Sequence, residues 1–146
     1  MYKGFMAAKM GLKFRTMKIL ATINDNDKEE FGEIAKELQA LGYTFISTKG
    51  TSAYLTSIGV PNEAVRRLGE EEPNILNIIS NLGVDLVINT PTKGNNSQRD
   101  GFIIRRAAVE KNIGVITTLD TLRALVAATK AYKEIRDRER LEVYSL

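Results

Sequence analysis

Short apolar runs that alternate with stretches of helical periodicity predict an α/β fold. The expected architecture is a Rossmann-like or flavodoxin-like doubly wound parallel sheet of about five strands. Two further observations support it. The apolar runs are continuous, as in strands covered on both faces, and not alternating, as in strands with one wet face. The chain has 146 residues, 43% of them apolar and 27% charged, which suits one packed core and argues against disorder.

The elements follow in order. Residues 18–23 form the first strand candidate, short and apolar enough to be buried. Asn24, Asp25, Asn26 and Asp27 make a turn cluster rich in N-cap oxygens. Phe31, Ile34, Ala35, Leu38 and Leu41 then fall at helical spacing, and Gly42 supplies the stop. Residues 43–47 are the second strand, 48–51 a loop, and 52–58 a second helix ended by Gly59. A weak third strand is expected at 65–68, then an acidic turn at 69–73 and a short helix at 75–82 with Gly83 at its C-terminal end. Residues 84–89, β-branched and aliphatic, are the strongest strand. Residues 90–98 read as a polar loop holding Pro91 and Gly94, and 101–111 as a helix. A last strand at 114–117 and a last helix at 119–131 complete the pattern. The expected division is a connecting segment at 1–16 that ends something upstream, the domain at 17–131, and a charged tail at 132–146.

Composition excludes several chemistries. Without cysteine there is no disulfide, thiolate metal site or cysteine nucleophile. Without histidine the commonest general base and transition-metal ligand is missing. No apolar run approaches the ~18 residues of a membrane span, and the first residues lack the pattern of a signal peptide. A net charge of +3 suits an anionic small molecule and does not argue for nucleic acid.

In a doubly wound sheet, ligands bind beyond the carboxyl ends of the strands, near the topological switch point. The polar residues in that position are Thr22, Asn24, Asp25, Asp27 and Lys28 after the first strand, and Thr48, Lys49, Gly50 and Thr51 after the second. Arg66 and Arg67 follow the third, and Asn89, Thr90, Thr92, Lys93, Gly94, Asn95, Asn96 and Ser97 the fourth. Thr117 and Thr118 follow the last. Hydroxyls, amides, glycine and basic residues gathered on one edge suit a phosphate, which takes donors from every side and a close backbone approach. Neither a GxGxxG nor a P-loop pattern is present, so nothing here specifies a nucleotide. Structural readings stand beside the functional ones. Thr48 and Thr51 serve equally well as helix caps, and Asp25 and Asp27 as turn and cap residues. One of Arg105 and Arg106 is expected on the surface, solvated or paired. Glu70, Glu71 and Glu72 make a solvated turn and not a metal site. Asn95 and Asn96 shape a turn, and Asp100 caps the helix that follows.

Five segments, ILATINDNDK (19–28), STKGT (47–51), VINT (87–90), IRRAAV (104–109) and TTLDT (117–121), occur in an order and spacing that resembles the methylglyoxal-synthase-like (MGS-like) domain superfamily. Within it the likeness is to the C-terminal allosteric domain of the carbamoyl-phosphate synthase large subunit, and it covers residues 17–130. The leading segment also resembles the junction that closes the preceding domain there, so the resemblance implies a piece of a larger synthetase. It implies a five-stranded Rossmann-like fold and a regulatory role in arginine, pyrimidine or urea-cycle nitrogen metabolism, with no catalytic residues and no metal site in this segment. It assigns effector or phosphate binding to Thr22, Lys28, Thr48, Gly50, Thr51, Arg67, Asn89, Thr90 and Thr92. In the bacterial enzymes the effectors are UMP and IMP, with ornithine acting near the boundary with the preceding domain. Pro91 departs from that pattern and removes one N–H donor. It makes this loop more similar to urea-cycle-type synthetases, whose effector is N-acetylglutamate. Val115 and Ile116 stand where the ornithine-responsive form has aromatic and acidic residues.

The resemblance further implies the preceding synthetase domains, a glutaminase subunit or domain and self-association as partners. Nucleic acid and membrane are not among them. ATP and Mg belong to the parent enzyme, and this segment carries no cofactor. The expected compartment is the cytoplasm, or the mitochondrial matrix for a urea-cycle-type synthetase. The alternative within the superfamily is methylglyoxal synthase, a lyase acting on dihydroxyacetone phosphate. That enzyme's active site carries histidines and a Gly-rich loop with a catalytic Asp. This chain has no histidine, and TPTKGNNS (90–97) replaces the loop. An interaction module that binds no ligand is the third reading.

Overall fold

The structure is a computed structural model that describes residues 17–91 and 95–144, with side chains for 17–91 and 99–139. The segment expected as a connecting piece, 1–16, lies outside the described residues. Five parallel strands form one sheet: β1 (Lys18–Thr22), β2 (Thr44–Thr48), β3 (Glu63–Val65), β4 (Leu86–Asn89) and β5 (Gly114–Ile116). Five helices accompany them: α1 (Lys28–Ala40), α2 (Lys49–Ser57), α3 (Ile75–Ser80), α4 (Asn95–Glu110) and α5 (Leu119–Tyr144). A 3-10 turn, Asp25–Asp27, leads into α1. The strand order β3-β2-β1-β4-β5 is the Rossmann order and not the flavodoxin one.

The two faces of the sheet carry separate cores. Ile19, Ala21, Phe45 and Ile88 point to one face, where Phe31, Ile34 and Leu38 of α1, Leu55 of α2, and Leu122 and Leu125 of α5 cover them. Leu20, Ile46 and Val87 point to the other, under Ile75 and Ile79 of α3 and Ile104 and Ala108 of α4. Alternate residues along a strand face opposite ways, and here both ways are dry. This is why the strands read as unbroken apolar runs.

Several boundaries move. β3 occupies 63–65 and not 65–68, because an edge strand of three residues, with Glu63 and Ala64 exposed, leaves no apolar signature. α2 begins at Lys49, so Gly50 and Thr51 lie in its first turn and not in a loop. α4 begins at Asn95, which places Asn95–Gln98 in a helix where a loop was expected. Asn, Ser and Gln are only a few tenths of a kcal/mol poorer than good helix formers, so a polar run does not by itself stop a helix. The last helix runs past 131 to Tyr144, through Lys, Glu and Arg residues that favour helix and meet no Gly or Pro. Gly42 ends α1 at φ 100°, as expected. After α3 the left-handed position falls on Leu82, at φ 55°, one residue before the glycine. Gly83 is needed for a different reason: a Cβ there would stand 3.2 Å from the Ile78 carbonyl oxygen, which accepts the Gly83 N–H at 2.8 Å.

At the opposite end of the sheet from the site, Tyr43 leads into β2 with its ring buried and its hydroxyl 3.2 Å from Thr129 Oγ1 of α5. Burial raises the Tyr43 pKa above its ordinary 10.0, and the Thr129 hydrogen bond offsets this in part. As pH rises past 10.0 the unfolded chain releases this proton while the folded chain holds it, so stability falls until the folded phenol also ionises. Tyr43→Phe is expected to cost about 1 kcal/mol at neutral pH. It should also flatten the alkaline decline. Melting curves of both proteins between about pH 8 and about pH 11 check this, and parallel declines would count against it.

Candidate functional site

The strand order reverses between β1 and β4, so the segments that follow these two paired strands leave to opposite faces of the sheet and open a crevice. Thr22 and Asn89 are register partners at its floor. By strand alternation Thr22, Thr48 and Asn89 all point to the face that carries α3 and α4. Together with Arg67, Leu68, Ile75, Thr90, Asp100, Gly101 and Ile104 they line a cleft of about 120 Å³. A water needs roughly 10–15 Å³ of such space, so the cleft has room for several waters or one small anion.

The polar groups in the cleft are ordered by hydrogen bonds. Arg105 Nη1 donates to Asn89 Oδ1 at 3.0 Å, and Asn89 Nδ2 donates to Thr22 Oγ1. Thr48 occupies the N-cap position of α2, yet its side chain makes no cap bond, and the residue lines the cleft. Arg67 is exposed on the rim. Its backbone N–H donates to Glu70 Oε1, and its guanidinium has no hydrogen bond or ion pair among the described residues.

A second group of the expected residues shapes the loop after β1. The Ile23 N–H donates to Thr51 Oγ1 at 3.1 Å, and the Asn24 N–H donates to Thr90 Oγ1 at 2.8 Å. Asn24 Nδ2 donates to the Pro91 carbonyl at 2.7 Å, so the proline that lacks an N–H still braces the loop through its oxygen. Lys28 pairs with Asp25 across one helical turn, beside Gly50, where an added Cβ would stand 3.1 Å from the Lys28 ammonium. The Lys28 hydrogen bond and charge hold the exposed Asp25 carboxyl below its ordinary range. Asn24, and neither aspartate, caps the turn: its Oδ1 accepts the Asp27 N–H.

Of the expected site residues, the structure brings Thr22, Thr48, Arg67, Asn89 and Thr90 to one cleft. Lys28, Gly50 and Thr51 stand beside it at the entrance to α1 and α2. Thr92 lies outside the described residues. Thr118 caps α5, accepting the Thr121 N–H. Asp100, expected as a cap, sits five residues inside α4 and lines the cleft. Arg105 and Gly101 were not singled out for the site. Arg106 pairs on the surface with Glu110, one turn on, while Arg105 turns inward to Asn89. No cluster of acidic residues that would hold a metal ion is found among the described residues, and no helix there is long and apolar enough to cross a membrane.

Residues 30–117 match the family model of the MGS-like domain. Over its whole length the chain is 55% identical to a segment of the carbamoyl phosphate synthase large chain of Clostridium beijerinckii. It is 56% identical to a segment of the Clostridium botulinum large chain (strain Kyoto) and 53% identical to one of Clostridium perfringens (strain 13). The chain spans 13–14% of the length of these relatives.

Proposed function

This chain belongs to the MGS-like domain family, and on that footing we propose that it acts as the effector-binding regulatory domain of a carbamoyl phosphate synthase large chain. The effector's anionic group is held in the cleft between β1 and β4, and the rest of the ligand extends out of it. The observation that carries this reading is the guanidinium of Arg67, unpaired among the described residues, on a cleft that also gathers Thr22, Thr48, Asn89 and Thr90. A phosphoryl group takes Arg67 as its full charge, and the Thr22 and Thr48 hydroxyls as donors. The first-turn N–H groups of α2, beside Thr48, add positive potential. Asp100 on the same wall favours a ligand with one anionic group and neutral donors elsewhere. A nucleoside monophosphate such as UMP or IMP carries its charge on one group and meets that description better than N-acetylglutamate, with its two separate carboxylates. Binding then biases two states of the parent synthetase, and such coupling is typically about 1–3 kcal/mol. The other synthetase domains of that longer chain and a glutaminase subunit are the partners this role requires.

A thermal-shift titration with UMP, IMP, N-acetylglutamate and inorganic phosphate tests the proposal. A ligand at ~100 times its dissociation constant stabilises the folded state by about 2.7 kcal/mol and raises the melting temperature by several degrees. The expected result is a shift with a nucleoside monophosphate that is lost in Thr48→Ala. No shift with any of the four would defeat the proposal. Asp100 also gives the lyase alternative a carboxylate in the cleft, so phosphate release from dihydroxyacetone phosphate should be assayed alongside. The regulatory reading expects none.

A further inference from the structure

We propose that Arg105 is a positioning residue that sets the hydrogen-bond polarity of the cleft, turning Thr22 into a donor toward a bound anion. The proposal rests on the effector-binding reading of the cleft. An Asn side chain has one acceptor end and one donor end, and which end faces which neighbour is not fixed by its shape. Asn89 is 7% exposed and stands between Thr22 and Arg105. A guanidinium only donates. With Arg105 Nη1 at 3.0 Å, the Asn89 end that faces α4 must be Oδ1, so the amide NH₂ faces β1. There Nδ2 donates to Thr22 Oγ1. The Thr22 hydroxyl, having accepted, keeps its own proton to give. Thr22 lines the cleft, and an anion there is the acceptor. The relay therefore runs in one direction, from Arg105 through Asn89 and Thr22 to the ligand. Hydrogen bonds linked head to tail in this way polarise one another, and the positive end lies at Arg105.

Gly101 shows that the fold makes room for this relay. It sits mid-helix in α4, where glycine is a poor choice. A Cβ at that position would stand 2.9 Å from Arg105 Nη1 and 3.1 Å from Asn89 Oδ1, pressing on both ends of one hydrogen bond. Arg105 lies sixteen residues from Asn89, and the turn of α4 from Gly101 to Arg105 brings them together.

The test uses the 146-residue chain, UMP and inorganic phosphate as probes, and the Asn89 side-chain amide resonances in a ¹⁵N–¹H spectrum as a second readout. Arg105→Leu is expected to weaken binding of both probes by roughly tenfold or more while the chain remains folded. The Asn89 NH₂ resonances should move in the ligand-free protein, and Arg105→Lys should recover part of both losses. Gly101→Ala should reproduce the effect from the other side of the bond. Asn89→Asp keeps the Arg105 contact but leaves β1 facing an acceptor, so Thr22 must donate inward, and anion binding should be lost. A merely structural arginine would lower the melting temperature without moving binding or the Asn89 signals. Full-strength binding in Arg105→Leu with unmoved Asn89 resonances would overturn the positioning role alone. A wild-type chain that binds neither probe would overturn the cleft reading, and this proposal with it.

Discussion

Phe31→Ala is expected to destabilise the domain by about 3–5 kcal/mol, because a fully buried aromatic is replaced by a cavity that its surroundings fill only in part. Phe31 is 0% exposed at the start of α1. Its ring meets Phe45 of β2 edge to face, with centroids 6.1 Å apart and planes at 86°. That geometry adds roughly 0.5–1.5 kcal/mol beyond the buried area. A domain has only about 5–15 kcal/mol of net stability, so the loss removes a large part of it. The melting temperature should fall by about 10 °C or more. Phe102→Ala is the control. Phe102 is 57% exposed on α4, and its removal should change stability by no more than about 0.5 kcal/mol. Similar melting temperatures for the two variants would show that the α1 core is misassigned.

Arg67→Glu carries the largest expected effect on binding. Arg67 lines the cleft, is exposed and has no side-chain partner among the described residues, so reversing its charge should cost the fold little. For the ligand the change is twofold. A charge-assisted hydrogen bond to the anion is lost, itself about 1.5–3 kcal/mol, and a second negative charge joins Asp100. Affinity for a nucleoside monophosphate should drop at least ~100-fold. Arg67→Lys should keep most of it, because a point charge still reaches the anion without the planar fork. Calorimetric titration of the three proteins, with melting curves to show that each is folded, provides the measurement. Binding by Arg67→Glu within threefold or so of wild type would place the anion elsewhere.

Much of this architecture was legible in the residues themselves. β1, β2 and β4 announce themselves because both faces are buried, and Gly42 marks its helix end because the backbone there is left-handed. β3 was displaced by two residues because an exposed edge strand has no apolar pattern to read. The extra turn and a half at the start of α4 and the long end of α5 are built from polar residues, whose local preferences neither demand nor forbid a helix.

The cleft follows the same division. Thr22, Thr48, Asn89 and Thr90 were found by position, because the carboxyl ends of strands are fixed once the strands are known. Asp100 was not, because its placement depends on where α4 begins, and Arg105 was not, because helical position alone does not say which of two adjacent arginines turns inward. A helix starting at 101 puts Asp100 at its cap. One starting at Asn95 makes the same residue part of the helix and of the cleft wall. The glycine at 101, awkward in a helix, was the available hint. Thr51 and Lys28 were expected among the anion ligands. They are engaged locally, with the Ile23 N–H and with Asp25.

Everything proposed for binding depends on the effector's anionic group sitting in the crevice between β1 and β4. The most direct measurement is a crystal structure of the chain grown with UMP. The phosphate is expected beside Arg67 and Thr48, with the Thr22 hydroxyl donating to it above the Asn89 amide. A nucleotide found at the other end of the sheet, against Lys18, Pro61 and Glu63, would contradict it.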